Sequence, residues 1–399
     1  MRPVGNGVTA AAGFLAAGVS AGIKPSGKPD LALVLSETRA AAAAVFTRNQ
    51  VQAVPVVISR QRIRHGQARA VLINSGCANC LTGTPGRSDA LAISRAVEQA
   101  LSVRSSEVLL ASTGIIGQRV PVAQIVRAIP GLVEHVDRAH HTAAAEAILT
   151  TDLQVKEVAL QAQVDGRTFS VGGMAKGAGM IAPSMATMLC VVTTDAAVPA
   201  GLLRTLLVEA AAVSFNRITI DGDMSTNDSV FLLANGQSGA AIRPGQRSAR
   251  VFSQALTRVM TELALLLVKD GEGATRLLHV EVIGARTTEQ AQVCARQVAC
   301  SPLVKTMLAG GDPNVGRIAA AVGSAPITMD PRRLDIDIGG QMVVRRGAVV
   351  PVSRTVAAQL LQADEIAVRI NLHVGHGSGR MTTCDLTEDY VKINARYTT

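Results

Sequence analysis

Apolar positions along this chain fall into short compact runs that alternate with stretches of helical spacing. Residues 70–73 form an unbroken apolar run closed by Asn74-Ser75-Gly76, the pattern of a buried strand and its turn. Residues 88–103 carry Ala92, Ile93, Ala96, Ala100 and Leu101 near one face, which predicts a helix. A second buried strand is expected at 108–111, closed by Ser112-Thr113-Gly114, and a helix at 122–129, stopped by Pro130. Residues 152–164 alternate as a strand does. Asp165-Gly166 then signals a two-residue hairpin, with 167–174 as the returning strand.

The second half repeats the mixture. An apolar run at 188–193 ends in β-branched residues, and 202–213 and 251–268 have strong helical periodicity. Strands are expected at 277–283 and 334–338, with Gly339-Gly340 turning the chain back into 342–344. Two further runs, 367–374 and 390–394, read as strands. The expected fold class is α+β, a layered sandwich of sheets covered by helices. No repeat, coiled coil or low-complexity linker interrupts it.

Composition narrows the function classes. Apolar residues make up 48% of the 399, so the chain can bury a large core. Aromatics are only 2%, with no Trp, which leaves Ala, Val, Leu and Ile to fill that core. It also removes the stacking platforms that single-stranded nucleic-acid binding needs, so no nucleic-acid partner is expected. The net charge of +9 suits anionic partners, yet the cations are scattered. The densest stretch, 60–69, holds four Arg and one His with no adjacent aromatic. It reads as a solvated surface, or else as a means of steering small anionic substrates. No apolar run reaches the roughly 18 residues of a membrane span, and the Ala/Gly-rich opening lacks the greasy centre of a signal peptide. A cytoplasmic location without membrane attachment is expected.

The six Cys are too sparse for a disulfide scaffold. Cys77-Ala78-Asn79-Cys80 has the spacing of one half of a zinc site, but a second pair at similar spacing is missing. His373 and His376 are its nearest substitutes, far away in a Gly-rich segment. Small buried residues in a turn after a strand fit better, and no metal is expected.

The most unusual stretch is Lys176-Gly177-Ala178-Gly179-Met180-Ile181-Ala182-Pro183-Ser184-Met185-Ala186-Thr187-Met188-Leu189. Gly177 and Gly179 permit backbone shapes and close approaches closed to other residues. Pro183 interrupts regular pairing, and Thr187 opens the apolar run that follows. The order of Lys and Gly is wrong for a phosphate loop, and the third Gly of a dinucleotide fingerprint is absent. Spacing alone leaves a Gly-rich bend into a buried strand.

That stretch closely resembles the self-cleaving junction of the ornithine acetyltransferase family, the glutamate N-acetyltransferases of arginine biosynthesis. The resemblance runs over nearly the whole chain. It includes Asn74-Ser75-Gly76, Ser112-Thr113-Gly114-Ile115-Ile116-Gly117, Thr150-Thr151-Asp152, Asp221-Gly222-Asp223 and Ser225-Thr226-Asn227-Asp228. It continues through Asp270-Gly271-Glu272-Gly273, Ser301-Pro302-Leu303-Val304-Lys305-Thr306 and the end from Cys384 to Thr399.

The resemblance implies cleavage between Ala186 and Thr187. The products would be an alpha chain, residues 1–186, and a beta chain, 187–399, assembled as an α2β2 heterotetramer. Thr187 would be the nucleophile, with Thr113 and Gly114 as the oxyanion hole. Thr150, described by the resemblance as lying on a substrate-contact strand, would bind substrate together with Lys176, Glu272, Asn394 and Thr399. The implied reaction moves acetyl from N2-acetyl-L-ornithine to L-glutamate through an acetyl-Thr187 ester. No cofactor is implied, and acetyl-CoA as a second donor is left open. A self-cleaving aminopeptidase or amidase of the same fold is the alternative enzyme. A non-catalytic binding protein with a decayed site is the alternative outside enzymes.

Overall fold

The structure, a computed structural model, describes residues 1–182 and 188–396. The first sheet contains β1 (Arg2–Pro3), β2 (Phe14–Val19), β3 (Leu31–Phe46), β4 (Gln67–Cys77), β5 (Val108–Ile115), β6 (Lys156–Val164), β7 (Arg167–Lys176), β8 (Leu189–Thr194) and β9 (Ser229–Ala234). Their order is β1-β6-β7-β8-β9-β3-β4-β5, with β2 also paired to β3. The second contains β10 (Leu277–Ala285), β11 (Asp335–Ile338), β12 (Gln341–Arg345), β13 (Ala348–Val349), β14 (Glu365–Asn371) and β15 (Gly377–Cys384), ordered β13-β12-β11-β14-β10-β15.

Burial explains the layering. On one face of the first sheet, Val171, Cys190, Val192 and Leu232 pack against Leu203 and Leu207 of helix Ala200–Val213 and Phe252, Leu256, Leu263 of helix Arg247–Lys269. On the other, Val34, Val71, Met174 and Phe231 close over Ala144, Ala145 and Ala147 of helix His141–Ala147. The β4–β5 end is covered by helices Gly83–Leu101 and Val122–Glu134. In the second sheet, β14 alternates exposed and buried residues, as a sheet covered on one face must. Its buried face meets helix Thr288–Ala299, helix Pro302–Gly310 and helix Val315–Gly323. Helix Arg247–Lys269 alone among the described residues is long and apolar enough to cross a membrane. Half of that apolar window is buried, much of it against the first sheet.

Three local expectations are corrected. Pro130 does not stop its helix, which runs Val122–Glu134 with Pro130 inside. Ile125, Ile129 and Leu132 form one buried stripe on both sides of the proline, and that packing outweighs one lost backbone bond. Residues 390–394 are not a strand but part of helix Glu388–Arg396. Glu388 and Asp389 in its first turn and Arg396 in its last complement the helix dipole, which outweighs the β-branched Val391 and Ile393. Thr150 is not on a strand either: it lies in the loop before β6, which begins at Lys156.

Candidate active site

The first sheet delivers polar groups to one place because several of its strands end there. β4 and β5 run parallel, with Gly76 opposite Gly114. Their backbones approach so closely that a Cβ on Gly114, at φ +125°, would overlap the Gly76 carbonyl carbon. Glycine is therefore required at 114. β7 ends at Lys176, directly opposite Leu189 at the start of β8.

Together these ends line a cavity of about 250 Å³ with Thr113, Gly114, Thr150, Lys176, Glu272 and Asn394. Those are six of the residues that the sequence resemblance singled out. Ala186, Thr187 and Thr399, the expected scissile residue, nucleophile and tail contact, lie outside the described residues. Cys77 and Cys80 are buried at and just after the end of β4, and the Cys77 thiol donates to the Gln118 carbonyl. His373 belongs to the second sheet's periphery, where it bonds Asp335.

Lys176 is the hub of the cavity. Its side chain is buried, and its ammonium donates to Thr150 Oγ1 at 2.7 Å and to Thr113 Oγ1 at 3.4 Å. The carboxylate of Asp152 stands 3.6 Å away. A Thr113 hydroxyl whose lone pair receives Lys176 has its own proton to offer, the requirement for an oxyanion donor. Burial lowers the Lys176 pKa, and Asp152 opposes that fall.

Asp152 also accepts from Lys156 at 2.7 Å, from the Gly177 N–H at 2.6 Å and from the Thr150 N–H at 3.0 Å. Despite its burial, Lys176 and Lys156 hold its carboxyl far below the usual range. Lys156 is shared with Asp270 at 2.5 Å. One buried carboxylate thus fixes the end of β7, the Thr150 loop and the charge on Lys176.

The opposite wall comes from the second half of the chain. Asn394, on the last helix, donates to Glu272 Oε2 at 2.8 Å, and the Glu272 N–H donates to the Ala178 carbonyl at 2.7 Å. A Cβ on Gly179 would come within 2.5 Å of Glu272 Oε2, so this glycine makes room for the carboxylate.

Residues that sequence reasoning quoted only as matching blocks hold the chain on either side of 183–187. Asp221 accepts from the Met180 and Ile181 N–H groups at 2.5 and 2.8 Å. Met180, at φ +56°, adopts a left-handed shape rare outside glycine. The Ile181 carbonyl accepts from the Thr219 hydroxyl and the Ile220 N–H, both at 2.8 Å. Downstream, the Met188 N–H donates to Asp228 Oδ1 at 3.0 Å. Burial raises the Asp228 carboxyl well above its usual range, outweighing the nearby hydroxyls and Lys176. Asn227 donates to the Ala78 and Ser112 carbonyls at 2.8 Å each, tying the cavity's floor to β5.

Comparison with known proteins places the chain in a family. A profile of the ArgJ family matches residues 15–399. The arginine biosynthesis bifunctional protein ArgJ of a Synechococcus species is 46% identical over 100% of this chain and 99% of its own length. The protein of the same name from Mycobacterium bovis is 47% identical over 98% of this chain and 96% of its own. The crystal structure of the Bacillus halodurans arginine biosynthesis bifunctional protein is 39% identical with a TM-score of 0.50. The match covers 51% of this chain and 97% of that one. A family profile spanning 15–399 and relatives at this identity over their full lengths leave one assignment: the chain belongs to the ArgJ family, acyltransferases of arginine biosynthesis.

Proposed function

We propose that the protein transfers acetyl from N2-acetyl-L-ornithine to L-glutamate through an ester on Thr187, after cleaving itself between Ala186 and Thr187. The observation that carries this reading is the convergence of the six predicted residues on one small cavity. Thr113, Gly114, Thr150 and Lys176 come from before the cleavage point, and Glu272 and Asn394 from after it. Leu189, two residues past Thr187, is the register partner of Lys176.

The chemistry starts with the Thr187 hydroxyl attacking the Ala186 carbonyl. The peptide becomes an ester, which water splits, freeing the α-amine of Thr187. An α-amine titrates at about 7.7 to 8.0, so a useful fraction serves as general base at working pH. In the transfer itself, this amine takes the hydroxyl proton as Thr187 attacks the acetyl carbonyl of N2-acetylornithine. Thr113 and the Gly114 N–H stabilise the oxyanion. The amide C–N bond breaks, ornithine leaves carrying that proton, and the acetyl ester remains. The glutamate amine then attacks the ester, its C–O bond breaks, and Thr187 regains its proton. This ping-pong cycle uses no metal or organic cofactor, and acetyl-CoA as a second donor would refill the same ester.

Lys176 meets the substrate carboxylate, Thr150 and Thr399 add contacts beside it, and Glu272, steadied by Asn394, receives ornithine's terminal ammonium. On this reading the protomer is two fragments, residues 1–186 and 187–399, assembled as α2β2 in the cytoplasm; a solved relative whose chain matches only half of this one supports the division into fragments.

The test is an assay of purified protein with N2-acetylornithine and glutamate. N-acetylglutamate is expected, with parallel double-reciprocal lines, and none from Thr187→Ala. Hydrolysis of acetylornithine at a rate indifferent to glutamate would select the amidase reading instead.

A further inference from the structure

Away from the candidate active site, and sharing no lining residue with it, lies an open cleft of about 620 Å³. Its floor is the outer edge of β3. β4 leaves that edge after pairing Gln67 with Ala41, and the Ala42 N–H makes one last bond to Gly66. By strand alternation, the main-chain groups of Ala44 and Phe46 face the cleft as Ala42 does. The first residues of helix Ala200–Val213 form one wall. That helix has no acidic residue in its first turn and no side-chain cap.

Four arginines line this cleft, Arg48, Arg60, Arg64 and Arg204, and no carboxylate does. Arg60 is pinned: it donates to Gln52 and the Thr47 carbonyl, and its guanidinium lies 5.4 Å from the Phe46 ring centre. Arg48, Arg64 and Arg204 are exposed and have no hydrogen-bond or ion-pair partner among the described residues. Some arginines elsewhere are paired with acids: Arg39 with Glu107, Arg119 with Asp89, Arg258 with Glu262. Four guanidinium groups around one cleft repel one another, so an anion that bridges them gains what neighbouring acids provide at those other sites.

We propose that this cleft is a second binding site, and that it takes a small molecule bearing phosphate groups. The charge count favours a polyanion over a substrate carboxylate, since the active-site cavity presents a single cation, Lys176, among its lining residues. Guanidinium forks match phosphate oxygens two at a time. The volume lies within the roughly 300–1,000 Å³ of small-molecule sites. The open strand edge offers main-chain donors and acceptors to the remainder of the ligand.

Titration calorimetry of the whole protein with pyrophosphate, and in a second arm with adenosine diphosphate, tests this. One saturable site per protomer is expected, weakened by added salt. Arg64→Ala and Arg204→Ala should each lower affinity about tenfold or more, the loss of a charged hydrogen bond. Both residues are exposed, so the fold and acetyl transfer should persist, and Lys176→Met should leave pyrophosphate binding unchanged. Tighter binding of the nucleotide than of pyrophosphate, lost in the same variants, would assign the ligand's organic part to the strand edge. Equal binding would assign the site to the phosphates alone. Absence of saturable binding, or binding abolished by Lys176→Met but unmoved in both arginine variants, overturns the proposal.

Discussion

Replacing Asp152 by Asn tests the electrostatic design of the cavity with almost no change of shape. In the native protein the Asp152 carboxylate stands 3.6 Å from the Lys176 ammonium. At an effective dielectric of about 20, that separation is worth roughly 4–5 kcal/mol of attraction favouring the charged lysine. Lys156 keeps its second acid, Asp270, at 2.5 Å, so the loss falls mainly on Lys176. One carboxylate oxygen also becomes an amide donor, and either the Gly177 or the Thr150 N–H loses its acceptor. Breaking a buried pair in this way costs about 3–5 kcal/mol of stability.

The sign of the activity change follows from the charge. A protonated Lys176 is present below its pKa and lost above it. Burial already depresses that pKa and Asp152 sustains it, so the variant loses the cation at lower pH than the native enzyme does. The alkaline limb of kcat/KM for acetyl transfer should shift to lower pH, with KM for glutamate rising more than kcat falls. Urea unfolding reports the stability and a pH series reports the limb. An alkaline limb that stays in place, together with native stability, would refute the reasoning.

Other outcomes follow from single contacts. Asp228→Asn should stay within about 1 kcal/mol of native in urea unfolding, because burial disfavours the charged carboxyl and an amide oxygen still accepts the Met188 N–H. Asp228→Ala should cost about 1–3 kcal/mol, and equal losses in the two would contradict this reading of Asp228. Gly114→Ala should destabilise the protein, since its Cβ collides with Gly76, and under the proposed mechanism it should also cut kcat by about a hundredfold or more by displacing the oxyanion donor. Gly179→Ala should leave stability near native while lowering kcat/KM for acetylornithine by up to about a hundredfold, through a displaced Glu272 carboxylate. Unchanged kinetics there would remove Glu272 from the substrate contacts.

Much of the central architecture was legible where one local rule dominated. Asp165 and Gly166, at φ +49° and +77°, make the hairpin that joins β6 to β7, because their residue types alone select that turn. Gly339 and Gly340 do the same between β11 and β12. The long strand β3 was not visible. Its second half is Ala40 to Ala44, and a run of alanine shows neither the two-residue nor the 3.6-residue period. The last helix was misread because Val391 and Ile393 favour strands in isolation, whereas Tyr390 and Asn394 are held by partners distant in sequence, Asp221 and Glu272. The family resemblance picked out Thr113, Gly114, Thr150, Lys176, Glu272 and Asn394, which the fold brings to one cavity. The roles of Asp152, Asp221 and Asp228 were not, because each acts on backbone groups or lysines that only folding brings near.

Intact-mass analysis of the purified protein, with N-terminal sequencing before and after brief exposure to N2-acetylornithine, bears most directly on the proposal as a whole. The account predicts two fragments, the second beginning at Thr187 and gaining the mass of one acetyl group on exposure. An active enzyme that remains a single unbroken chain, or a second fragment that never gains acetyl while turnover proceeds, would contradict it.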